Sequence, residues 1–181
     1  MKPSTSLTKK ETVKLKQDRR QAKRRINQMT KTLSEVLADK EENIPRELMS
    51  SDDTPLAKLR RLYDLFDELG EHVADFTSCG AGCADCCRMP VSVSELEIEY
   101  IETETGIKRS LSPIAREGIG DCPFLKEHRC SIYHARPFLC RRHAVYSGDN
   151  YWCDPDRCNE VELGMVGFSG MDAAMGYLRT T

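Results

Sequence analysis

The chain has 181 residues, 27 Lys and Arg against 29 Asp and Glu, a formal net charge of -2 and 39% hydrophobic residues. That length suits one domain, and the hydrophobic share is low for a globular chain, so the core is lean. No apolar run approaches the roughly 18–20 residues that span a bilayer, which excludes a helical membrane protein.

Charge and cysteine divide the chain. Residues 1–31 hold 11 Lys and Arg and two acids, leaving 16 and 27 for residues 32–181. All nine cysteines fall between Cys79 and Cys158. The opening, Met1 to Arg25, has no apolar stretch of the about 7–15 residues that a secretory signal needs. The expected location is therefore a reducing cytoplasm, where clustered cysteines read as metal ligands rather than disulfides. An odd count also sits badly with complete pairing. A basic opening with Ser and Thr also suits a mitochondrial presequence, with Glu11 and Asp18 counting against it.

In chain order, residues 8–42 lack Gly and Pro and are rich in Lys, Arg, Glu, Gln, Leu and Ala, which predicts one long helix. Leu15, Ala22, Ile26, Met29, Leu33 and Val36 follow steps of 7, 4, 3, 4 and 3. That is a heptad seam, so a coiled-coil contact with a partner helix is expected, and Ile44-Pro45 should end the helix. Thr54 and Pro55 mark an N-cap and first position for a second helix over 54–76. Its broad stripe of Leu56, Leu59, Leu62, Leu65, Phe66, Leu69, Val73 and Phe76 reads as core. The two helices should form an antiparallel hairpin through the polar 45–53 linker.

Ser92-Val-Ser-Glu95 resembles a capping box, followed by a short helix to about Thr105 with Gly106 as its stop. Residues 107–160 are rich in Pro, Gly and Cys and read as loops and turns wrapped around metal. Ser169–Leu178 is expected to form a last short helix.

The chemistry centres on Cys79-x-x-x-Cys83-x-x-Cys86-Cys87. Gly80 and Gly82 lie inside it and permit the turns that bring thiolates to one centre. Cys122, Cys130, Cys140 and either Cys153 or Cys158 follow. Soft sulfur ligands in this density suit zinc or an iron–sulfur cluster. Eight thiolates are enough for two four-ligand sites, or for one cluster with the rest reactive or structural. Adjacent Cys86 and Cys87 point different ways along the backbone and either serve different centres or include one ligand only.

The pattern CxxxCxxCC, then Cys122-Pro-Phe-Leu, Cys130-Ser-Ile-Tyr133, Arg136-Pro137-Phe-Leu-Cys140-Arg141 and Cys158-Asn159, resembles the YkgJ-type cysteine-cluster family over about residues 79–163. The resemblance implies a zinc- or iron-chelating domain, often an iron–sulfur one. It places eight ligands on Cys79, Cys83, Cys86, Cys87, Cys122, Cys130, Cys140 and Cys158, with Cys153 as the ninth cysteine and a substitute for Cys158. Three residues separate Cys79 from Cys83 where many relatives have two, and residues 1–78 lie outside the resemblance. The triplet Cys79, Cys83 and Cys86 also has radical S-adenosylmethionine spacing. Against that reading, Cys87 is atypical and the chain beyond the motif is too short for most of a barrel that takes about 250 residues.

Other polar residues divide into functional and packing candidates. His72 reads as a packing residue, while His128, His134 and His143 near Cys130 and Cys140 are secondary ligand candidates. Arg136, Arg141 and Arg142 either stabilise thiolate charge or an anionic substrate, or pair with nearby acids and loop carbonyls. Tyr133 and Phe124 read as local core. Lys9, Lys10, Lys14, Lys16, Arg19, Arg20, Lys23, Arg24 and Arg25 form a basic arm. It is suited to a protein partner, self-association, docking on the acidic half, solvent or nucleic-acid phosphates.

These readings predict a mainly α protein: an N-terminal helical hairpin, then a small, irregular, metal-stapled cysteine-cluster domain. The expected division is a basic arm over 1–50 and a cysteine-cluster domain over 51–181, with its metal-binding core at 79–160. The leading function is metal binding through a 4Fe–4S cluster or zinc in a redox, electron-transfer or accessory role. The alternative is a nucleic-acid-associated or protein-partner regulator whose metal is structural. No acid–base or nucleophile pair defines an enzyme.

Overall fold

The computed structural model describes residues 7–80, 82–109, 121–154, 157–158 and 161–180. Among them are six α-helices, one two-stranded hairpin and short 3-10 turns.

Helix α1 spans Lys9–Thr32 and opens with a capping box between Thr8 and Glu11. It does not continue to residue 42. Leu33 turns extended and Ser34, accepting from the Leu37 N–H, caps a new helix, α2, over Glu35–Ser50. The Thr30-Lys31-Thr32-Leu33-Ser34 stretch is rich in hydroxyls that compete for backbone partners, which favours a cap over a continued helix.

Pro45 does not end α2 but sits inside it. Having no N–H, it leaves the Glu41 carbonyl without its helical donor. The last helix, α6 (Ser169–Leu178), comes against that carbonyl at Gly170, where an added Cβ would lie 1.8 Å from the oxygen. The Glu41 side chain also accepts from the N–H groups of Gly170 and Met171, at 2.7 and 3.1 Å, and so caps α6. A proline inside one helix is thus matched by a glycine at the start of its neighbour.

Helix α3 (Pro55–Ala74) starts as the sequence predicts, with Thr54 capping and Pro55 first. It packs on α2, α4 and α6. The helical hairpin is formed by α2 and α3 across the short 51–54 link, rather than by a helix running from residue 8. Helix α4 (Glu95–Thr105) is capped by Ser94 with Glu97, two residues beyond the expected box, and stops at left-handed Gly106.

The main core joins Ile44 and Leu48 of α2, Leu59, Leu62, Tyr63, Phe66 and Leu69 of α3, and Met171, Ala174, Met175 and Leu178 of α6. Ile132, Ala135 and Phe138, from the cysteine-bearing half, enter the same core.

The α1 seam has its partner within the chain. Leu15, Ala22 and Met29 are buried, with Ala22 and Met29 packed around Tyr146, while Val73, Phe76, Ala144 and Val166 close the rim. Val36 at the seam's end stays 65% exposed.

Candidate metal centre

The cysteine runs are joined by backbone bonds before any side chain is considered. Ser78 donates its N–H to the Val145 carbonyl at 2.8 Å, clipping the start of the first run onto the buried strip Val145-Tyr146-Ser147. Cys83 closes a turn onto Gly80, and Gly82 takes φ +88, a conformation only glycine adopts readily. Cys86 and Cys87 sit on the 3-10 turn Asp85–Arg88. The Cys122 N–H donates to the Cys87 carbonyl at 2.7 Å, stitching the second run to the first.

Cys122 and Cys130 then bracket a hairpin, β1 (Leu125–Lys126) with β2 (Arg129–Cys130). Its two-residue turn has Glu127 and His128 both at positive φ, 48 and 60. That is the turn that matches strand twist, although these side chains disfavour it. Sequence reading treats this stretch as loop, because two-residue strands leave no alternation to detect. Cys140 lies in the short helix α5 (Phe138–Arg142), and Cys153 ends the turn Tyr151–Cys153. The predicted stretch at 110–120 and Asn159 fall outside the described residues.

Two neighbourhoods of thiols result. Cys87 interacts with Cys122 and Cys130 and also with Cys86 and Cys83, and Cys140 interacts with Cys122, Cys130 and Cys87. Cys153 lies beside Cys83, Cys79, Asp85 and Cys158. Cys86 stands between them, with Cys87, Cys83, Cys140 and Cys79 as neighbours. The adjacent pair on the 3-10 turn thus faces both groups. Cys153 is buried while Cys79 is exposed. Among the described residues, no three or more side chains close into a metal-ready shell.

Burial, then mutual repulsion, pushes Cys86, Cys87, Cys140 and Cys153 up. Cys86 and Cys153 reach about 12 and Cys140 about 11. Backbone N–H groups work the other way: those of Val145 and Ile132 bond the sulfurs of Cys79 and Cys130. Sulfurs that accept N–H bonds and crowd one another suit a soft cation, which replaces protons and removes the repulsion.

The three arginines part company. Arg141 is 7% exposed, bonds Asp67 and the carbonyls of Arg136 and His134, and stacks on Tyr63. Arg142 holds Asp172 through two bonds of 2.7 and 2.8 Å. Both are architectural. Arg136 instead lowers the pKa of Cys79, Cys130 and Cys140, and so stands near both thiol groups. Its guanidinium lies 3.9 Å from the Tyr133 ring centroid, and its buried Nε has no hydrogen-bond partner among the described residues.

The histidines have varied surroundings. His72 bonds the Met29 carbonyl at 3.0 Å, and His128 sits at the exposed hairpin tip. The His134 carbonyl serves Arg141. Burial lowers the pKa of His143, whose Nε2 is unbonded among the described residues. A surface cleft of about 480 Å³ runs along α4 and includes Glu95, Glu99, Glu102 and Arg109 but no cysteine.

Sequence reading misses how α1 takes part. Asp18 is 6% exposed and accepts from the Trp152 Nε1 at 2.7 Å, while Glu11 accepts from the Tyr151 hydroxyl at 3.1 Å. Lys14 bridges Asp18 and Asp149, and Arg25 donates to Ser78 and to the Ser147 carbonyl. These contacts clamp the residues flanking Cys153 and Cys79. The signal was present: Glu11 and Asp18 fall on the same helical face as Leu15 and Ala22.

Residues 78–159 match the family model CxxCxxCC, described as a putative zinc- or iron-chelating domain. No curated protein and no solved structure matches the chain. No helix among the described residues is long and apolar enough to cross a membrane. The cysteine-bearing segment is therefore similar to a cysteine-cluster domain described as zinc- or iron-chelating, while residues 1–77 and 160–181 lie outside that match.

Proposed function

We propose that the chain binds metal at two thiolate centres and serves a redox, electron-transfer or accessory role through them. One centre uses Cys79, Cys83, Cys86 and Cys158; the other uses Cys87, Cys122, Cys130 and Cys140. Cys153 adjoins the first and is its substitute ligand. What supports this reading is that Cys122, Cys130 and Cys140 associate with Cys87, and Cys79, Cys83 and Cys158 with Cys153, while Cys86 and Cys87 interact with members of both sets.

Iron–sulfur is the preferred occupant, since all-sulfur donors with N–H bonds to sulfur and a nearby guanidinium are the means by which proteins set cluster potentials. Such a cluster supplies one-electron transfer. The chain's own part is to gather the sulfurs, bury them and place Arg136 beside them. Zinc at the same ligands would supply folding free energy without redox chemistry.

Purification under argon, with iron, zinc and acid-labile sulfide counted per chain, tests the proposal. Iron and sulfide with broad visible absorption support it. A colourless protein with stoichiometric zinc removes the redox role and keeps the metal sites. Metal-free protein with eight of its nine cysteines paired as disulfides overturns the whole reading. Cys122→Ser should lose about half the metal, because it spares the Cys79 centre; complete loss would refute two centres.

A further inference from the structure

The outward face of α1 is a basic surface that carries none of the cysteines. The inward face of this helix takes up both of its acids: Glu11 binds Thr8 and Tyr151, and Asp18 binds Trp152 and Lys14. Lys9, Lys16, Arg20, Lys23, Arg24 and Lys31 are all exposed. At about 100° per residue they fall within one stripe about 100° wide and about 33 Å long. Among the described residues, the ion pairs of α1 run through Lys14 alone.

Lys16, Arg20, Lys23 and Arg24 include like charges three and four residues apart. Each such pair costs about 0.2–0.5 kcal/mol of helix stability. The stripe is thus kept at some cost to the helix, in a chain whose net charge is -2.

We propose that this stripe docks on the phosphate backbone of duplex DNA without reading sequence. Its length is close to one turn of B-DNA, about 34–36 Å. It has no aromatic residue to stack on single-stranded bases. Its one large apolar side chain, Val13, is 56% exposed and isolated, so the buried aromatic or aliphatic anchor typical of protein interfaces is missing. What is left is evenly spread positive charge, with Arg20 and Arg24 suited to bidentate phosphate contact. Arg19, at the flank, already gives its Nε to the Glu162 carbonyl.

The test is fluorescence anisotropy of the full chain, as isolated, with a labelled duplex of about 20 base pairs of arbitrary sequence. Six phosphate contacts predict a slope near about -5 in log K against log salt, or about a thousandfold weaker binding from 50 to 200 mM salt. Lys16→Gln/Arg20→Gln/Arg24→Gln should flatten the slope by about 3 while the circular dichroism stays native. If that variant misfolds, Lys9→Gln/Lys23→Gln should flatten it by about 2. Binding without salt dependence, or a folded variant with an unchanged slope, overturns the proposal. So does tighter binding to an acidic peptide or to duplex RNA than to the DNA.

Discussion

Replacing Glu97 by Ala tests how the helices hold the cysteine half. The Glu97 carboxylate is 1% exposed. It accepts from the Ser94 N–H at 2.9 Å and hydroxyl at 2.8 Å, the Tyr63 hydroxyl at 3.1 Å and the Phe138 N–H at 2.8 Å. The Arg179 guanidinium stands 3.7 Å away. Alanine strands the hydroxyl of Tyr63, which is 1% exposed, and the N–H of Phe138, which is 3% exposed. Each stranded buried donor costs about 1–3 kcal/mol. Relief from burying a carboxylate offsets part of that, and breaking such a buried arrangement costs about 3–5 kcal/mol in total. For a chain of this size the fall in Tm is about 6–20 °C. Glu97→Gln keeps one acceptor oxygen but sets an amide donor against the Ser94 N–H, for about 1–3 kcal/mol. Urea unfolding followed by circular dichroism should rank wild type above Gln above Ala. Phe138 opens α5, which carries Cys140, so the alanine variant should also retain less metal. An alanine variant within about 0.5 kcal/mol of wild type, the ordinary range for a surface change, would refute the reasoning.

Two glycines of α6 should respond with opposite sign. Gly170→Ala drives a Cβ into the Glu41 backbone and should cost about 1–3 kcal/mol, while Gly176→Ala, with nothing within 4 Å, should gain about 0.5–1 kcal/mol in thermal melts. Arg136→Gln should weaken metal retention about 10–100-fold in a chelator competition, as loss of an outer partner does. Cys83→Ser and Cys86→Ser should lose metal, and Cys153→Ser should lose less; equal loss at Cys153 would make it, rather than Cys158, the fourth ligand of its centre.

The hydrogen bond from Lys14 holds the Asp149 pKa below its ordinary value of 3.8. Its stabilising effect is present above that value and is lost as pH falls through the lower folded pKa. Asp149 is 52% exposed, so the effect is under about 1 kcal/mol. Emission of Trp152, the chain's one tryptophan, should shift as α1 loosens in acid, and Asp149→Asn should reduce that pH dependence, with Glu11 at the Tyr151 hydroxyl supplying the remainder.

Local signals written over a few residues were legible in the sequence. Thr54-Pro55, Gly106 and the span Ser169–Leu178 fall where expected, because caps and left-handed stops act within one helical turn. The density of cysteine specified the chemistry for the same reason, since sulfur's softness belongs to the atom. Where two elements meet was not legible. Pro45 lies inside α2, and Gly170, far along the chain, packs against the carbonyl it leaves without a helical donor. Asp18 is buried because Trp152 reaches it, and Arg136, alone of the three arginines, stands among the thiols. Such pairings depend on distances across the fold, and in a lean core held by few contacts, tertiary packing decided which charge faces inward and which thiols are neighbours.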